Sequence, residues 1–297
     1  MINCKDLCKS FGAKEVLKSI DFSIKDGEIF GLLGPSGAGK TTLIKILTGQ
    51  LDFDGGTIEI LDKDVRNLNG EDKKKIGIMM DSFGVYERLS CADNLDIFAD
   101  IYHIPKTRIK EILEEVGLSE AINMPASNLS KGMRARLQLA RVFMHSPKII
   151  FLDEPTSGLD PQSMRAIHKI ILDKKKEGCT IFLTTHNMEE AYSLCDYVAL
   201  LNEGVIVEHG EPEEVCRKYN HQKKIHLHLT TGEDIELEHG KDSSKELYDL
   251  MNSGKVETIH SSEPTLETVF LELTGRKFQE ENWPPKDRER MPEENNL

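Results

Sequence analysis

The chain has 297 residues, of which 38% are hydrophobic and 30% are charged, and its formal net charge is −13. This composition is typical of a globular protein with a substantial core. The acidic balance argues against a nucleic-acid partner, because binding to a phosphate backbone needs a basic face. No run in the sequence approaches the roughly 20 apolar residues of a membrane-spanning helix, so we expect any action at a membrane to need a partner. The six cysteines form no C-x-x-C pair, and we expect reduced thiols in a cytoplasmic protein.

The first 80 residues predict short strands, a glycine-rich loop and a helix. The segment VLKSIDFSIKDGEIFGLLG contains two apolar runs on either side of a turn at Asp26 and Gly27. The second run, IFGLL, leads directly into GPSGAGKTT. The next residues, KTTLIKILTG, predict a helix that ends at Gly49.

From about residue 85 to 145, apolar residues recur at helical spacing, as in CADNLDIFADIY and KTRIKEILEEVGL. The chain then alternates strands and helices. KIIFLDEP and TIFLTTH predict buried strands, QSMRAIHKIILDKKKEG and NMEEAYSLC predict helices, and YVALLNEGVIVEHG predicts a hairpin. This alternation predicts an α/β fold with a mostly parallel sheet that is covered by helices.

The sequence changes character near residue 220. KIHLHLTTGEDIELEH alternates apolar and polar residues and predicts two antiparallel strands, and a helix, a strand and a second helix follow. We therefore predict a large domain over 1–220 with a helical subdomain at about 85–145, and a small α+β domain over 221–275. The polar, proline-containing segment 276–297 predicts a disordered tail.

GPSGAGKTT matches the phosphate-binding pattern G-x-x-x-x-G-K-[ST] between a strand and a helix. Its glycines allow backbone amides to surround phosphates, and the helix N-terminus adds partial positive charge. Lys40 is expected to neutralise the β- and γ-phosphates, and Thr41 to offer a hydroxyl group to Mg²⁺. The predicted nucleotide-binding residues of the loop are Gly34, Pro35, Ser36, Gly37, Ala38, Gly39, Lys40, Thr41 and Thr42.

The segment FLDEP supplies the second half of this site. An acidic residue at the end of a buried strand suits Mg²⁺ binding, which favours Asp153 as a metal ligand. Glu154 follows directly and is well placed to orient an attacking water. A helix-capping pair at a strand end is the alternative interpretation, but the neighbouring phosphate loop favours catalysis.

The segment LSKGM, which precedes the predicted helix RARLQLARVFMHSP, indicates a second anion site. Ser130 can cap this helix, Gly132 adds backbone freedom, and the exposed amides at the helix N-terminus can bind an anion. The chain already has one phosphate site. A second site makes sense if it serves a nucleotide that is held by another copy of the protein.

The order of phosphate loop, LSKGM, IIFLDEP, SGLD and TTH resembles the ATP-binding subunit of an ABC (ATP-binding cassette) transporter over residues 1 to about 215. The resemblance implies a P-loop ATPase cassette that binds ATP and Mg²⁺ and forms a homodimer around two ATP molecules. It also implies a separate membrane permease, and hence a peripheral location at the cytoplasmic face of the cell membrane. EPTLETVFLELTGR is similar to the C-terminal end of bacterial multidrug and peptide-antibiotic exporter ATPases, which implies export.

The family's residue roles transfer where this sequence matches. Phe11 matches the aromatic residue that stacks on adenine. Ser130 and Gly132 match the signature positions that contact the γ-phosphate across the dimer, and Asp160 matches the loop that crosses between subunits. His186 matches the histidine that contacts and senses the γ-phosphate. The expected catalytic residues are then Lys40, Glu154 and His186.

The sequence departs from the family pattern in two segments. The family usually has a Gln at the end of the strand before the helical subdomain, where this chain has Asp81 in IGIMMDSFG. A carboxylate can bind Mg²⁺, so Asp81 is a further candidate metal ligand, but it cannot donate hydrogen bonds as an amide does unless it is protonated. The signature reads LSKGM instead of LSGGQ, with Lys131 and Met133 at the changed positions.

Alternative functions remain open beside the exporter. One is an importer ATPase with a regulatory C-terminal domain, and another is a non-transport ABC ATPase that acts on DNA or ribosomes. The sequence has one cassette and no long heptad segment, which argues against the non-transport types. A nucleotide-gated binding module with poor turnover is the remaining alternative, because Asp81 is unusual.

Overall fold

The computed structural model describes residues 1–80, 84–221, 224–238, 240–261 and 263–275. The strands are β1 (Ile2–Phe11), β2 (Lys14–Ile24), β3 (Ile29–Leu33), β4 (Gly55–Ile60), β5 (Lys63–Asp64), β6 (Ile76–Met79), β7 (Ile149–Asp153), β8 (Thr180–Thr185), β9 (Tyr197–Asn202), β10 (Val205–Gly210), β11 (Lys224–Leu229), β12 (Asp234–Glu238) and β13 (Val256–Ser261). The α-helices are α1 (Lys40–Leu47), α2 (Gly70–Lys73), α3 (Cys91–Tyr102), α4 (Thr107–Glu115), α5 (Lys131–Phe143), α6 (Pro161–Lys176), α7 (Met188–Leu194), α8 (Pro212–Lys218), α9 (Lys241–Asn252) and α10 (Leu266–Thr274).

The central layer is a sheet with the strand order β10-β9-β3-β8-β7-β6. Strands β9, β3, β8, β7 and β6 run parallel, and β10 pairs with β9 in the antiparallel direction. The mostly parallel sheet predicted from the sequence is confirmed, but its cover differs between the faces, because an antiparallel sheet as well as α1 lies on one of them. Because β3, β8 and β7 are neighbours with the same direction, the segments that follow them leave the sheet at one edge.

A row of aromatic side chains crosses one face of this sheet. Phe30 in β3 is aligned with Phe182 in β8 and with Tyr197 in β9, and Phe151 in β7 is aligned with Phe182. The ring centroids of these pairs lie 5.6, 5.9 and 5.7 Å apart. Phe22 of β2 stacks on Phe30 at 5.2 Å, so the antiparallel sheet β2-β1-β4-β5 covers this face. Contacts of this kind stabilise the packing of one sheet on the other.

The opposite face of the sheet is covered by helices. Ile150, Leu152, Ile181 and Leu183 are fully buried there, in a core shared with residues of α3 to α7. Since β7 and β8 are buried on both faces, their sequences are continuous apolar runs without alternation. This explains why KIIFLDEP and TIFLTTH could be predicted as strands of a parallel sheet.

The predicted turn at Asp26 and Gly27 joins two sheets. It leads from β2, in the antiparallel sheet, to β3, in the parallel sheet. The helix predicted to end at Gly49 is α1, which ends at Leu47 and is followed by Gly49 with a φ of +66°. The predicted hairpin of YVALLNEGVIVEHG is the β9–β10 pair.

The segment after residue 220 has two structural parts. Strands β11, β12 and β13 form a separate antiparallel sheet, and α9 lies next to β12. Helix α10 packs instead on α7 and α8, and its residues Leu266, Val269 and Phe270 belong to the core that covers the parallel sheet. The division of the chain near residue 220 stays a prediction, and segment 276–297 lies outside the described residues.

The structure shows the state of the cysteines and the character of the helices. All six cysteines are free thiols in the structure. Burial, together with the nearby Asp21 charge, raises the pKa of the Cys4 thiol to about 12, so this group stays protonated at neutral pH. Among the residues that the structure describes, no helix has both the length and the apolar character needed to cross a bilayer.

We predict that Phe270→Ala destabilises the whole cassette. Phe270 is 1% exposed, and a cavity of this size in a core typically costs about 3 kcal/mol or more. Chemical denaturation followed by circular dichroism measures this change in the free energy of unfolding. Met251→Ala in α9 is the control, because Met251 is 52% exposed and should have a small effect. An unchanged cassette transition in Phe270→Ala would contradict the packing of α10 on the cassette.

Candidate active site

The glycine-rich loop joins β3 to α1 through a close backbone approach. A Cβ atom at Gly34 would come within 2.4 Å of the Leu201 carbonyl oxygen in β9. Gly39 has a φ of +116°, and a Cβ atom there would lie 2.8 Å from the Leu17 side chain. Both positions need glycine, because a side chain would push the loop away from its neighbours. Helix α1 begins at Lys40, and the amides of its first turn have no acceptor within the helix.

The Lys40 side chain connects this loop to the end of β7. Its ammonium group donates hydrogen bonds to the carbonyl oxygens of Gly34 at 2.6 Å and Pro35 at 3.4 Å. It also forms an ion pair with Glu154, with 3.1 Å between Nζ and Oε1. The Lys40 side chain is 8% exposed, and salt screens a pair this buried less than a surface pair. A positive charge therefore lies between the phosphate loop and a carboxylate.

Thr41 and Asp153 form the second contact between the loop and β7. The Thr41 hydroxyl group donates to Asp153 Oδ2 at 2.9 Å, and the Thr184 hydroxyl group donates to Asp153 Oδ1 at 2.5 Å. Asp153 is 4% exposed. A hydroxyl oxygen beside a carboxylate is a donor set that suits a hard divalent cation. Within the described ranges no group of three or more His, Cys, Asp or Glu side chains is arranged to hold a metal, so phosphate and water oxygens would have to complete the shell.

Glu154 and His186 form a pair at the ends of neighbouring strands. Glu154 follows β7 with a φ of +51°, a value that side-chain-bearing residues rarely adopt. Its Oε2 atom lies 2.8 Å from His186 Nδ1 and also accepts from the His186 backbone amide at 3.3 Å. Since Oε1 faces Lys40, both carboxylate oxygens of Glu154 have a partner.

The pKa of Glu154 reflects competing effects. Burial raises this pKa, but the hydrogen bond from His186 and the positive charge of Lys40 outweigh burial and hold the pKa below its ordinary value. Glu154 is therefore ionised at neutral pH. An ionised carboxylate can accept a hydrogen bond or a proton from water.

The signature residues meet Asp160 at the N-termini of α5 and α6. The Ser130 hydroxyl group caps α5 by accepting from the Met133 amide at 3.2 Å. Gly132 lies so close to Ser163 that a Cβ atom there would be 2.2 Å from the Ser163 hydroxyl oxygen. Ser163 in turn donates to Asp160 Oδ2 at 2.6 Å. The structure thus brings Ser130, Gly132 and Asp160 into one cluster, and Lys40, Thr41, Asp153, Glu154 and His186 into another.

The remaining candidate residues lie at the edges of the site. Phe11 ends β1, is 51% exposed, and has the Lys9 ammonium group 5.3 Å from its ring centroid. Pro35, Ser36, Gly37 and Ala38 lie in the loop between β3 and α1, and Thr42 lies in the first turn of α1. Asp81 lies outside the described residues, so its candidate role as a metal ligand stays a prediction.

Glu190 is a further residue near the site, and it was not identified from the sequence. Glu190 lies on α7, is 1% exposed, and accepts hydrogen bonds from Thr156 and Thr185. The sequence contains a signal for it, because Glu190 is four residues before the buried Leu194 and thus lies on the apolar face of its helix. The adjacent Glu189 is exposed.

The fold and this site define a P-loop ATPase. The parallel sheet ends in a phosphate loop with a buried lysine, a hydroxyl–carboxylate pair and an ionised glutamate beside a histidine. These groups match what phosphoryl transfer requires, namely a cradle for phosphates and a group that orients the nucleophile.

The comparisons with known proteins identify the family. The family model described as ABC transporter matches residues 17–157. The fluoroquinolones export ATP-binding protein of Mycobacterium tuberculosis is 38% identical over 270 residues, which cover 90% of each chain. The chain therefore belongs to the ABC transporter ATP-binding proteins, and it is an ATPase that binds ATP.

Further relatives support the family without fixing the direction of transport. The methionine import ATP-binding protein MetN of Clostridium acetobutylicum is 37% identical over 224 residues, which cover 72% of this chain and 70% of the relative. A solved structure of the ATP-binding subunit of an ABC transporter has a TM-score of 0.66 and 26% identity, and covers 74% of this chain and 93% of that one. The cassette fold is thus confirmed.

We predict that His186→Ala raises the pKa of Glu154. The substitution removes the side-chain hydrogen bond that lowers this pKa, while burial, which raises it, remains. A ¹³C NMR titration of glutamate side-chain carboxyls measures the shift, with Glu154→Gln identifying the resonance.

Because the pKa of Glu154 is lowered in the folded state, its ionisation makes the folding stability depend on pH. Ionised Glu154 stabilises the folded state above the pKa of the unfolded chain, and this contribution is lost as the pH falls through the lowered folded value. In His186→Ala the folded-state pKa moves up toward the unfolded value or past it, so this stabilising contribution and its loss in acid should both become smaller. An unchanged Glu154 titration would show that His186 does not control this carboxylate.

Proposed function

We propose that the chain powers a membrane exporter of drugs or peptide antibiotics by ATP-driven dimer closure and hydrolysis. The observation that carries the catalytic part is the contact of one carboxylate, Glu154, with both Lys40 and His186. This arrangement holds Glu154, the proposed base, beside Lys40, the residue expected to face the phosphates.

Nucleotide binding rests on the loop and on α1. The loop amides and the first turn of α1 provide donors for the phosphate oxygens, and Lys40 provides the positive charge. Phe11, as an exposed aromatic ring, can stack on the adenine base. In hydrolysis, Glu154 orients the attacking water and accepts its proton, and His186 holds Glu154 and contacts the γ-phosphate.

Thr41 and Asp153 fit Mg²⁺ by the chemistry of their oxygen atoms. The bound ion would supply neutralisation of the charge on the β- and γ-phosphates. Thr184 holds the second oxygen of Asp153, which orients that carboxylate toward Thr41. Asp81 is proposed as a further ligand from the sequence alone.

The second anion site is the basis for the homodimer. Ser130, Gly132 and Asp160 cluster at the N-termini of α5 and α6, whereas the catalytic residues cluster at the ends of β3, β7 and β8. A head-to-tail dimer would place the first cluster of one subunit over the nucleotide bound by the other. Each of the two ATP molecules would then lie between two chains.

A groove beside β6 supports a contact with a separate permease, and hence a peripheral location at the cytoplasmic face of the membrane. The groove has a volume of about 680 Å³, and its lining includes Tyr86, Phe98, Tyr102, Arg141 and His145. Tyr102 stacks on His145 with 4.3 Å between ring centroids, and the Arg141 guanidinium lies 5.1 Å from the Phe98 ring. Aromatic and arginine side chains are enriched where proteins bind partners.

Export is favoured over import by the match to the fluoroquinolone exporter subunit. This match covers 90% of each chain, although the 260-residue match to a methionine import ATP-binding protein of Clostridioides difficile also extends beyond the predicted cassette 1–220. EPTLETVFLELTGR, which resembles exporter ATPases, contains α10, and α10 packs on the cassette. The methionine importer relative keeps import as the second candidate.

We predict that Glu154→Gln binds ATP and dimerises but hydrolyses ATP at least about a hundredfold more slowly. The amide keeps the shape of the side chain but cannot accept a proton from water. Light scattering with and without ATP measures dimerisation, and phosphate release measures turnover. The double variant with Ser130→Arg is the control and should stay monomeric, because the new side chain blocks the proposed contact. Wild-type turnover in Glu154→Gln would remove Glu154 from catalysis.

We predict that a permease gene lies beside the gene for this chain, and that co-expression with that permease lowers the accumulation of drugs in a sensitive bacterial host. Accumulation of a fluoroquinolone and survival under a peptide antibiotic are the measurements, with the Glu154→Gln variant as the matched control. Uptake of labelled methionine is measured in the same cells. ATP-dependent uptake without drug efflux would establish the importer and overturn the exporter. Absence of both activities would contradict the transport proposal for these compounds.

A further inference from the structure

Glu190 is a buried acid that lies outside the groups assigned to ATP. Its side chain has no exposed surface. Its Oε1 atom accepts from the Thr156 hydroxyl at 2.6 Å and from His168 Nε2 at 3.0 Å, and its Oε2 atom accepts from the Thr185 hydroxyl at 2.6 Å. A buried carboxylate with several donors is a strong structural link, because each bond forms away from competing water.

The first link reaches the chain just after Glu154. Thr156 is 4% exposed and follows Glu154 by two residues. The loop between them is a tight turn, in which the Ser157 amide donates to the Glu154 carbonyl at 3.2 Å. Fixing the Thr156 hydroxyl therefore limits the movement of the backbone that carries Glu154.

The second link reaches the chain just before His186. Thr185 is 1% exposed and is the last residue of β8. Its hydroxyl oxygen also accepts from the Asn187 amide at 3.0 Å, and Asn187 caps α7 by accepting from the Glu190 amide at 3.0 Å. These bonds form a closed ring around the backbone of His186.

The third link ties the same carboxylate to α6. His168 lies on α6, and its side chain is 18% exposed. Helix α6 begins after Asp160 and carries Ser163, the residue against which Gly132 packs. Glu190 thus joins three elements: α6, the loop after β7 and the end of β8.

Thr184 and Thr185, the last two residues of β8, make contacts on opposite faces of the sheet. Adjacent side chains of a strand point to opposite faces of a sheet. Thr184 reaches Asp153, whereas Thr185 reaches Glu190. The supporting contact therefore lies on the face away from Asp153, in a place where it can hold Glu154 and His186 without touching the nucleotide.

We propose that Glu190 is a positioning residue that holds Glu154 and His186 at the distance needed for hydrolysis. This inference rests on the proposed roles of Glu154 and His186. The 2.8 Å contact between them joins two segments that are 32 positions apart in the chain. Glu190 accepts hydrogen bonds from both segments, on the face of the sheet away from Asp153. A glutamine amide in its place would present an NH₂ group to the hydroxyl donors.

The test measures kcat and KM for ATP in the full-length protein. Glu190→Gln and Thr185→Val are the two test variants, and Thr185→Ser is the matched rescue variant, because it keeps the hydroxyl group. We expect kcat to fall about tenfold to a hundredfold in both test variants, since small misplacement of a reacting group has effects of this size. KM and the dissociation constant of a fluorescent ATP analogue should stay unchanged, and Thr185→Ser should keep most of the wild-type kcat.

A matched control separates positioning from general stability. Asp72 is another buried acid, 3% exposed, which accepts from the amide of Asn69, the N-cap of α2, at 3.2 Å and pairs with Lys63 at 2.7 Å. Asp72→Asn should lower the melting temperature without changing kcat. If Glu190→Gln does not fold, the comparison of Thr185→Val with Thr185→Ser decides the question by itself.

The outcomes distinguish this inference from the proposed function. Wild-type turnover in Glu154→Gln would overturn the proposed function, whatever the Glu190 variants do. If Glu154→Gln is inactive while folded Glu190→Gln and Thr185→Val keep the wild-type kcat, the positioning role is wrong and the proposed function stands. A loss of activity that only follows the folded fraction would also overturn the positioning role.

Discussion

The parallel alignment of β3, β8 and β7 is the constraint on which the site depends. Because the three strands are parallel, the phosphate loop, His186 and the Asp153–Glu154 pair all follow strands at the same end of the sheet. Neighbouring strands lie about 4.8 Å apart, which brings distant parts of the chain into contact. Thr41 and Asp153 are separated by 112 positions in the chain and form a direct hydrogen bond.

The packing on both faces of the sheet supports this alignment. The aromatic row through Phe30 and Phe182 joins one face to the antiparallel sheet, and the helices cover the other. Helix α7 links the active site to the C-terminal segment. It begins two residues after His186, carries Glu190 on its buried side, and is in contact with α10. The C-terminal segment therefore touches the helix that follows the active site.

The sequence predicted those parts of the site in which the chemistry needs particular residues at short, regular spacing. Lys40 and Thr41 had to follow a glycine-rich turn, and Asp153 and Glu154 had to follow a buried strand. Glu190 was different, because Glu189 and Glu190 are adjacent acids in one short helix. Burial selects one of them, and burial depends on β8, α6 and the loop after β7, which are distant in the chain. Helical spacing from Leu194 places Glu190 on the buried side of α7, but it does not specify these hydrogen-bond partners.

By itself, the sequence determined the type of each main element, the phosphate loop and the acidic pair, because periodicity and turn chemistry act between near neighbours. Only the tertiary structure decided the order of the strands, the contact of Glu154 with both Lys40 and His186, and the packing of α10 on the cassette. These features depend on hydrogen-bond ladders and buried surfaces between remote segments. Contacts between remote segments form only when the chain folds, so a local pattern cannot specify them.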